Sequence, residues 1–205
     1  MLSPAEGLLR LKEGNQRFIS GAGYADGLSS EARRKELAKG QNPFAIILGC
    51  SDARVPAEII FDQGLGDLFV IRVAGNIVAP SQVGSVEFAA ERFGTKLVVV
   101  LGHTGCGAIL ATLEELRRPT KGHSPNLQSI VDRVRPSVEA LFEGSIPPHD
   151  EELEHRATRA NIRASANHLR HGSQILERLI AAQGLRVVGA EYSLESGEVD
   201  FFEGA

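Results

Sequence analysis

Residues 44–50 read Phe-Ala-Ile-Ile-Leu-Gly-Cys, a short uncharged run with β-branched Ile46 and Ile47 that stops at Gly49-Cys50. A run this short and apolar fits a strand buried on both faces, as in the parallel sheet of an α/β protein. Cys50 then falls at the strand's C-terminal end. Similar runs follow at residues 67–73 (DLFVIRV) and 97–101 (LVVVL), with a helical stretch over about residues 83–93 between them. Strand, helix, strand is the βαβ unit of a parallel sheet. Gly102-His103 comes directly after the third run, so His103 and Cys106 also emerge at a C-terminal strand edge, where open α/β sheets hold their ligands.

Outward from this centre, residues 4–20 (PAEGLLRLKEGNQRFIS) place most of Leu8, Leu9, Leu11, Phe18 and Ile19 on one helical face. This amphipathic helix must pack on something, and docking on a partner subunit is expected. A Gly-rich link, GAGYADG, leads to SSEARRKELAKG, where Ser30 caps a short polar helix that Gly40 ends. Beyond Ala108 the pattern is helical over residues 109–117, 127–142 and, after Pro147-Pro148, about 150–182. Two last strands, RVVGAEYS and GEVDFFE, flank Glu195-Ser196-Gly197 as a hairpin. With no internal repeat or low-complexity tract, residues 1–205 read as one α/β domain, a mainly parallel central sheet flanked by helices.

The 205 residues are 42% hydrophobic, enough for a substantial core, and 22 Lys and Arg against 26 Asp and Glu leave a net charge of −4. That balance points away from nucleic acid and anionic lipid and toward small molecules or further copies of the chain. No apolar run approaches the roughly 20 residues that span a bilayer, and no export signal opens the chain, so a cytoplasmic location is the default expectation. The two cysteines, Cys50 and Cys106, are then expected to be reduced.

Zinc favours thiolate and imidazole in a tetrahedron, and a catalytic site supplies three protein ligands. Cys50, His103 and Cys106 meet that count. The His-Thr-Gly-Cys spacing lets His103 and Cys106 reach one ion from a single turn, which Gly105 and Gly107 make compact. Either cysteine alone would read as a small buried hydrophobe, and His103 as an ordinary hydrogen-bonding residue. Their joint placement at strand ends favours a metal, and two cysteines are too few for an iron-sulfur cluster. Asp52 and Arg54 follow the first ligand immediately. Elsewhere they would be a turn-capping aspartate and a surface arginine; here Arg54 can hold Asp52 in a bidentate pair beside the open coordination position, where it accepts a hydrogen bond from the reacting hydroxide.

CSDARVP at 50–56, RVAGN at 72–76 and HTGCG at 103–107 together resemble the β-class carbonic anhydrases. The resemblance implies a mainly parallel sheet flanked by helices, built as a dimer that often pairs into a tetramer. It also implies Zn2+ held by Cys50, His103 and Cys106, with Asp52 and Arg54 as the catalytic dyad. Gln41 resembles the glutamine that hydrogen-bonds substrate in plant-like members, with Phe69, Ala74 and Phe88 lining an apolar pocket for carbon dioxide. Plain core packing is the competing reading of both phenylalanines. Ile47 stands where bicarbonate-inhibited members carry tryptophan, and Phe88 where plant-like members carry tyrosine.

The activity so implied is reversible hydration of carbon dioxide to bicarbonate and a proton by zinc-bound hydroxide. His123, His149, His155, His168 and His171 are the candidate proton carriers. Two alternatives use the same residues: hydrolysis of carbon disulfide or carbonyl sulfide, and a non-catalytic zinc or thiol-sensing protein.

Overall fold

The structure is a computed structural model and describes residues 2–23, 30–119, 124–142 and 150–205. Its centre is a five-stranded sheet in the order β2-β1-β3-β4-β5. The strands are β1 (Ala45–Gly49), β2 (Leu68–Arg72), β3 (Leu97–His103), β4 (Arg186–Tyr192) and β5 (Val199–Glu203). The first four run parallel and β5 closes the sheet antiparallel, through the expected hairpin.

Because side chains alternate along a strand, the sheet has two cores. Ile47, Val99, Leu101, Val188 and Tyr192 enter one, with Cys50 and Cys106; Ile46, Leu48, Val98, Val100 and Val187 enter the other. The first core is covered by α1 (Pro4–Ser20), α3 (Ala57–Ile60), α5 (Gly107–Arg117) and α6 (Pro125–Val138). The second is covered by α4 (Pro80–Phe93) and α8 (Gln174–Gln183). The long α7 (Asp150–His171) joins both, giving Leu153 and Ala157 to the first and Ile162, Ala166 and Leu169 to the second. The remaining helix, α2 (Glu31–Leu37), is capped by Ser30 and buries no residue.

Three boundaries differ from the sequence reading. The helix expected over residues 127–142 starts at Pro125 and gives way to a 3-10 turn, Glu139–Phe142. The stretch expected over 150–182 is two helices, because Ser173 accepts from the backbone of Leu176 and starts α8 afresh. And α4 begins at Pro80, whose fixed φ and missing N–H suit a first helical turn.

The first helix is set by a capping box between Ser3 and Glu6 and packs on its own chain through Leu8 and Leu11. Asn15 ties it to the rest: its amide donates to Ile60 O (3.2 Å) and Gly197 O (2.9 Å), and its Oδ1 accepts from Val199 N (3.0 Å). Close approach at Gly14 makes this possible, since a β-carbon there would lie 1.8 Å from the Phe61 carbonyl oxygen. Gly14→Ala must therefore push α1 off α3, and denaturant unfolding should show a loss of about 2 kcal/mol or more.

Candidate metal centre

Parallel pairing sets Gly49 of β1 opposite Leu101 of β3, so both strands deliver their next residues to one edge of the sheet. Cys50 Sγ, a ring nitrogen of His103 and Cys106 Sγ all lie within 4.8 Å of one another, in buried surroundings. Among the described residues this is the cluster of three donors, the number a catalytic zinc site takes from its protein.

The imidazole is oriented before any metal arrives. His103 Nδ1 lies 2.8 Å from Thr104 O, and since a carbonyl can only accept, Nδ1 carries the proton and Nε2 the lone pair. That Nε2 is buried with no nitrogen or oxygen partner and faces the Cys50 sulfur, an arrangement suited to a cation that both can bind. The thiols fit the same ion. Hydrogen bonding from Cys106 holds the Cys50 thiol down to about 4 against the opposing effect of burial, with His103 and the N–H groups of Asp52 and Gly75 (each 3.4 Å from Sγ) assisting. The same bond, together with burial, pushes Cys106 up. A divalent cation can replace the proton shared by the two sulfurs. Cys106 also stands at the N-cap position of α5, where the N–H groups of Ala108 and Ile109 favour a thiolate.

Around the ligands lies a set of charge-assisted hydrogen bonds. Arg54 binds Asp52 through Nε to Oδ1 (2.9 Å) and Nη2 to Oδ2 (2.7 Å), and Nη2 also reaches Gly105 O (3.1 Å). The guanidinium beside it holds the Asp52 carboxyl well below the usual carboxylate range, and Asp52 Oδ2 lies 3.9 Å from His103 Nε2. Arg72, at the end of β2, donates to Cys50 O (2.9 Å) and Asp52 O (2.6 Å). The 3-10 turn Ala74–Asn76 presents Gly75 N to Cys50 Sγ, and its far side is held by Asn161 Nδ2 on Gly75 O (2.8 Å) and Ser165 Oγ on Asn76 O (3.1 Å). Sequence reading singled out RVAGN only as part of a pattern; the jobs of Arg72 and Gly75 are backbone contacts that side-chain chemistry does not announce.

The four expected pocket residues separate. Ala74 stands beside Gly75 and so beside the ligands, half-buried. Gln41 is exposed and precedes the N-terminal end of β1, whereas Cys50 follows its C-terminal end; five strand residues put roughly 16 Å between them. Phe69 packs on the second core, opposite the face that holds the cysteines, and forms an aromatic cluster with Phe88 and Phe93 at centroid distances of 5.7–6.3 Å. Phe88 is 55% exposed. Within one chain these three do not reach the metal centre. Of the histidines, His155 pairs with Glu191 (3.1 Å) and His168 lines a cavity of about 800 Å³ between α4, α6 and α7; His123 and His149 lie outside the described residues.

Comparison with known proteins agrees with this centre. Residues 45–199 match the family model described as carbonic anhydrase. Carbonic anhydrase 2 of Mycobacterium tuberculosis is 40% identical over 197 residues, 95% of this chain and 91% of that one. Among solved structures, the β-carbonic anhydrase CafA of Aspergillus fumigatus superposes with a TM-score of 0.72 at 27% identity, over 84% of this chain and 81% of that one. One of two tetrameric β-carbonic anhydrases of Sordaria macrospora gives 0.69 at 26%, over 82% and 85%. With a parallel sheet that gathers two thiolates and an imidazole beside an arginine-held aspartate, this chain belongs to the carbonic anhydrase family, in its β class of zinc enzymes.

Proposed function

We propose that Asp52 and Arg54 organise the hydration of carbon dioxide at the Cys50, His103 and Cys106 centre. The observation that carries this is the position of Asp52, which is tied at both oxygens to Arg54 while Oδ2 stays 3.9 Å from His103 Nε2. Zinc held by the three ligands supplies what no side chain here can, a nucleophile from water near neutral pH. Asp52, kept ionised by Arg54, can only accept hydrogen bonds. A hydroxyl group beside it must point its hydrogen at the carboxylate, which leaves a lone pair aimed at the substrate carbon. By occupying both carboxylate oxygens, Arg54 also keeps Asp52 from becoming a fourth ligand. Ala74 offers the apolar edge that uncharged carbon dioxide needs.

Gln41, Phe69 and Phe88 fill their expected substrate roles only if a second copy brings them to the site, which matches an exposed Phe88 and makes the working form at least a homodimer. Tetrameric relatives from Sordaria macrospora support an assembly of this kind. Two free cysteines that must stay available as thiolates fit a reducing compartment such as the cytoplasm. Among the described residues no helix is long and apolar enough to cross a membrane.

Stopped-flow hydration assays on purified chain, with zinc measured on the same samples, test the assignment. Cys50→Ser and His103→Ala should weaken zinc binding by more than the roughly 100-fold that loss of an outer hydrogen bond can cost, and abolish turnover with it. Asp52→Asn should keep its zinc and lose about 10- to 100-fold in kcat; full activity without the carboxylate would remove Asp52 from the mechanism, and turnover of carbonyl sulfide in preference to carbon dioxide would reassign the substrate. Sedimentation should give a species at least twice 22.0 kDa, and Phe88→Asp should lower both that mass and the activity; a fully active monomer would rule out the shared site.

A further inference from the structure

One carboxylate bonded to the ligand-bearing turn plays no part in the chemistry of Asp52 and Arg54. Glu154, in the first turns of α7, accepts from Gly105 N through Oε1 at 2.6 Å, across 49 residues of sequence. Gly105 separates Thr104 from Cys106 and adopts a left-handed conformation, φ +66°. The backbone angles at these two residues decide where Cys106 Sγ stands relative to His103.

The turn is fastened at three places. At its start, Thr104 N donates to Tyr192 O (3.0 Å), the last residue of β4, and Thr104 Oγ1 accepts from Leu194 N (3.0 Å), in the turn that follows. At its finish, the Gly105 carbonyl accepts from Arg54 Nη2 (3.1 Å). Between these anchors lies the Thr104–Gly105 peptide, whose carbonyl accepts from His103 Nδ1 (2.8 Å) and whose N–H is held by Glu154. A glycine with positive φ has more conformational freedom than any other residue, so without Glu154 only the His103 imidazole, itself a ligand, opposes rotation of this peptide. The bond is charge-assisted and short, the kind that fixes geometry.

We infer that Glu154 is a positioning residue of the metal centre: it fixes the Gly105 peptide and thereby the separation of His103 and Cys106. This rests on the three-ligand zinc reading and adds to it a requirement from α7, an element that supplies no ligand. Arg54 and Glu154 then grip consecutive polar groups around Gly105 from opposite partners, so that the Asp52-bearing loop, the ligand turn and α7 are fixed to one another.

Two variants separate reach from charge. Glu154→Asp keeps a negative charge in the first turns of α7 and so preserves any favourable interaction with the helix dipole, but is one methylene short of Gly105. Glu154→Gln keeps the reach and an accepting oxygen while losing the charge. Zinc release from each holoenzyme to an excess of a chromogenic chelator is followed beside kcat for carbon dioxide hydration and the thermal midpoint of the metal-free chain. Glu154→Asp should release zinc about 10- to 100-fold faster than the unaltered protein, with a parallel fall in kcat and an unchanged metal-free midpoint. Glu154→Gln should stay closer to the unaltered protein than to Glu154→Asp on both readouts. Release from Glu154→Asp as slow as from the unaltered protein, or from Glu154→Gln as fast as from Glu154→Asp, overturns the inference and leaves the zinc reading standing. An unaltered chain that binds no zinc overturns both.

Discussion

The parallel hydrogen bonding of β1 to β3, with Ile46 opposite Val98 and Gly49 opposite Leu101, places the end of one strand level with the last turn of its neighbour. Both strands are buried along their whole length, so their relative shift is held by the two cores as well as by the ladder. A slip of β1 by one residue would turn Ile47 out of the first core and carry Cys50 away from His103. The three ligands are therefore not assembled by a flexible loop; they are the endpoints of a register that the apolar side chains enforce.

Electrostatics completes what register begins. Two sulfurs and an imidazole concentrate electron density at a buried point, and the protein answers with N–H groups from Asp52, Gly75 and the first turn of α5. Two arginines then fix the loop that follows Cys50: Arg72 by its backbone carbonyls, Arg54 by the Asp52 carboxylate. Each guanidinium bonds to more than one group, so neither could be exchanged for lysine without loss of a contact.

Much of this was legible in the chain itself, for reasons that can be named. The strands were readable because residues 44–50, 67–73 and 97–101 are short, β-branched and sharply bounded, and the metal ligands because cysteine is rare here and both copies sit beside glycine at strand ends. The break between α7 and α8 was hidden because the helical pattern continues across Gly172-Ser173, and only the Ser173 cap reveals it. Glu154 was equally hidden: in the run Asp-Glu-Glu-Leu-Glu-His-Arg it resembles any other charge on a solvated helix face, and its partner is a backbone N–H far away in sequence. Gln41, Phe69 and Phe88 show the converse, residues that resemblance linked to the site and that the single fold keeps apart from it.

The bonds of Asn15 join α1 to the β4–β5 hairpin, and Thr104 rests on the strand end of that same hairpin. The amino-terminal helix is thus mechanically continuous with the ligand turn, although it supplies no ligand. Trimming this segment, a common step when tags are moved or domains shortened, would strip the hairpin of a buttress and be felt at the catalytic edge.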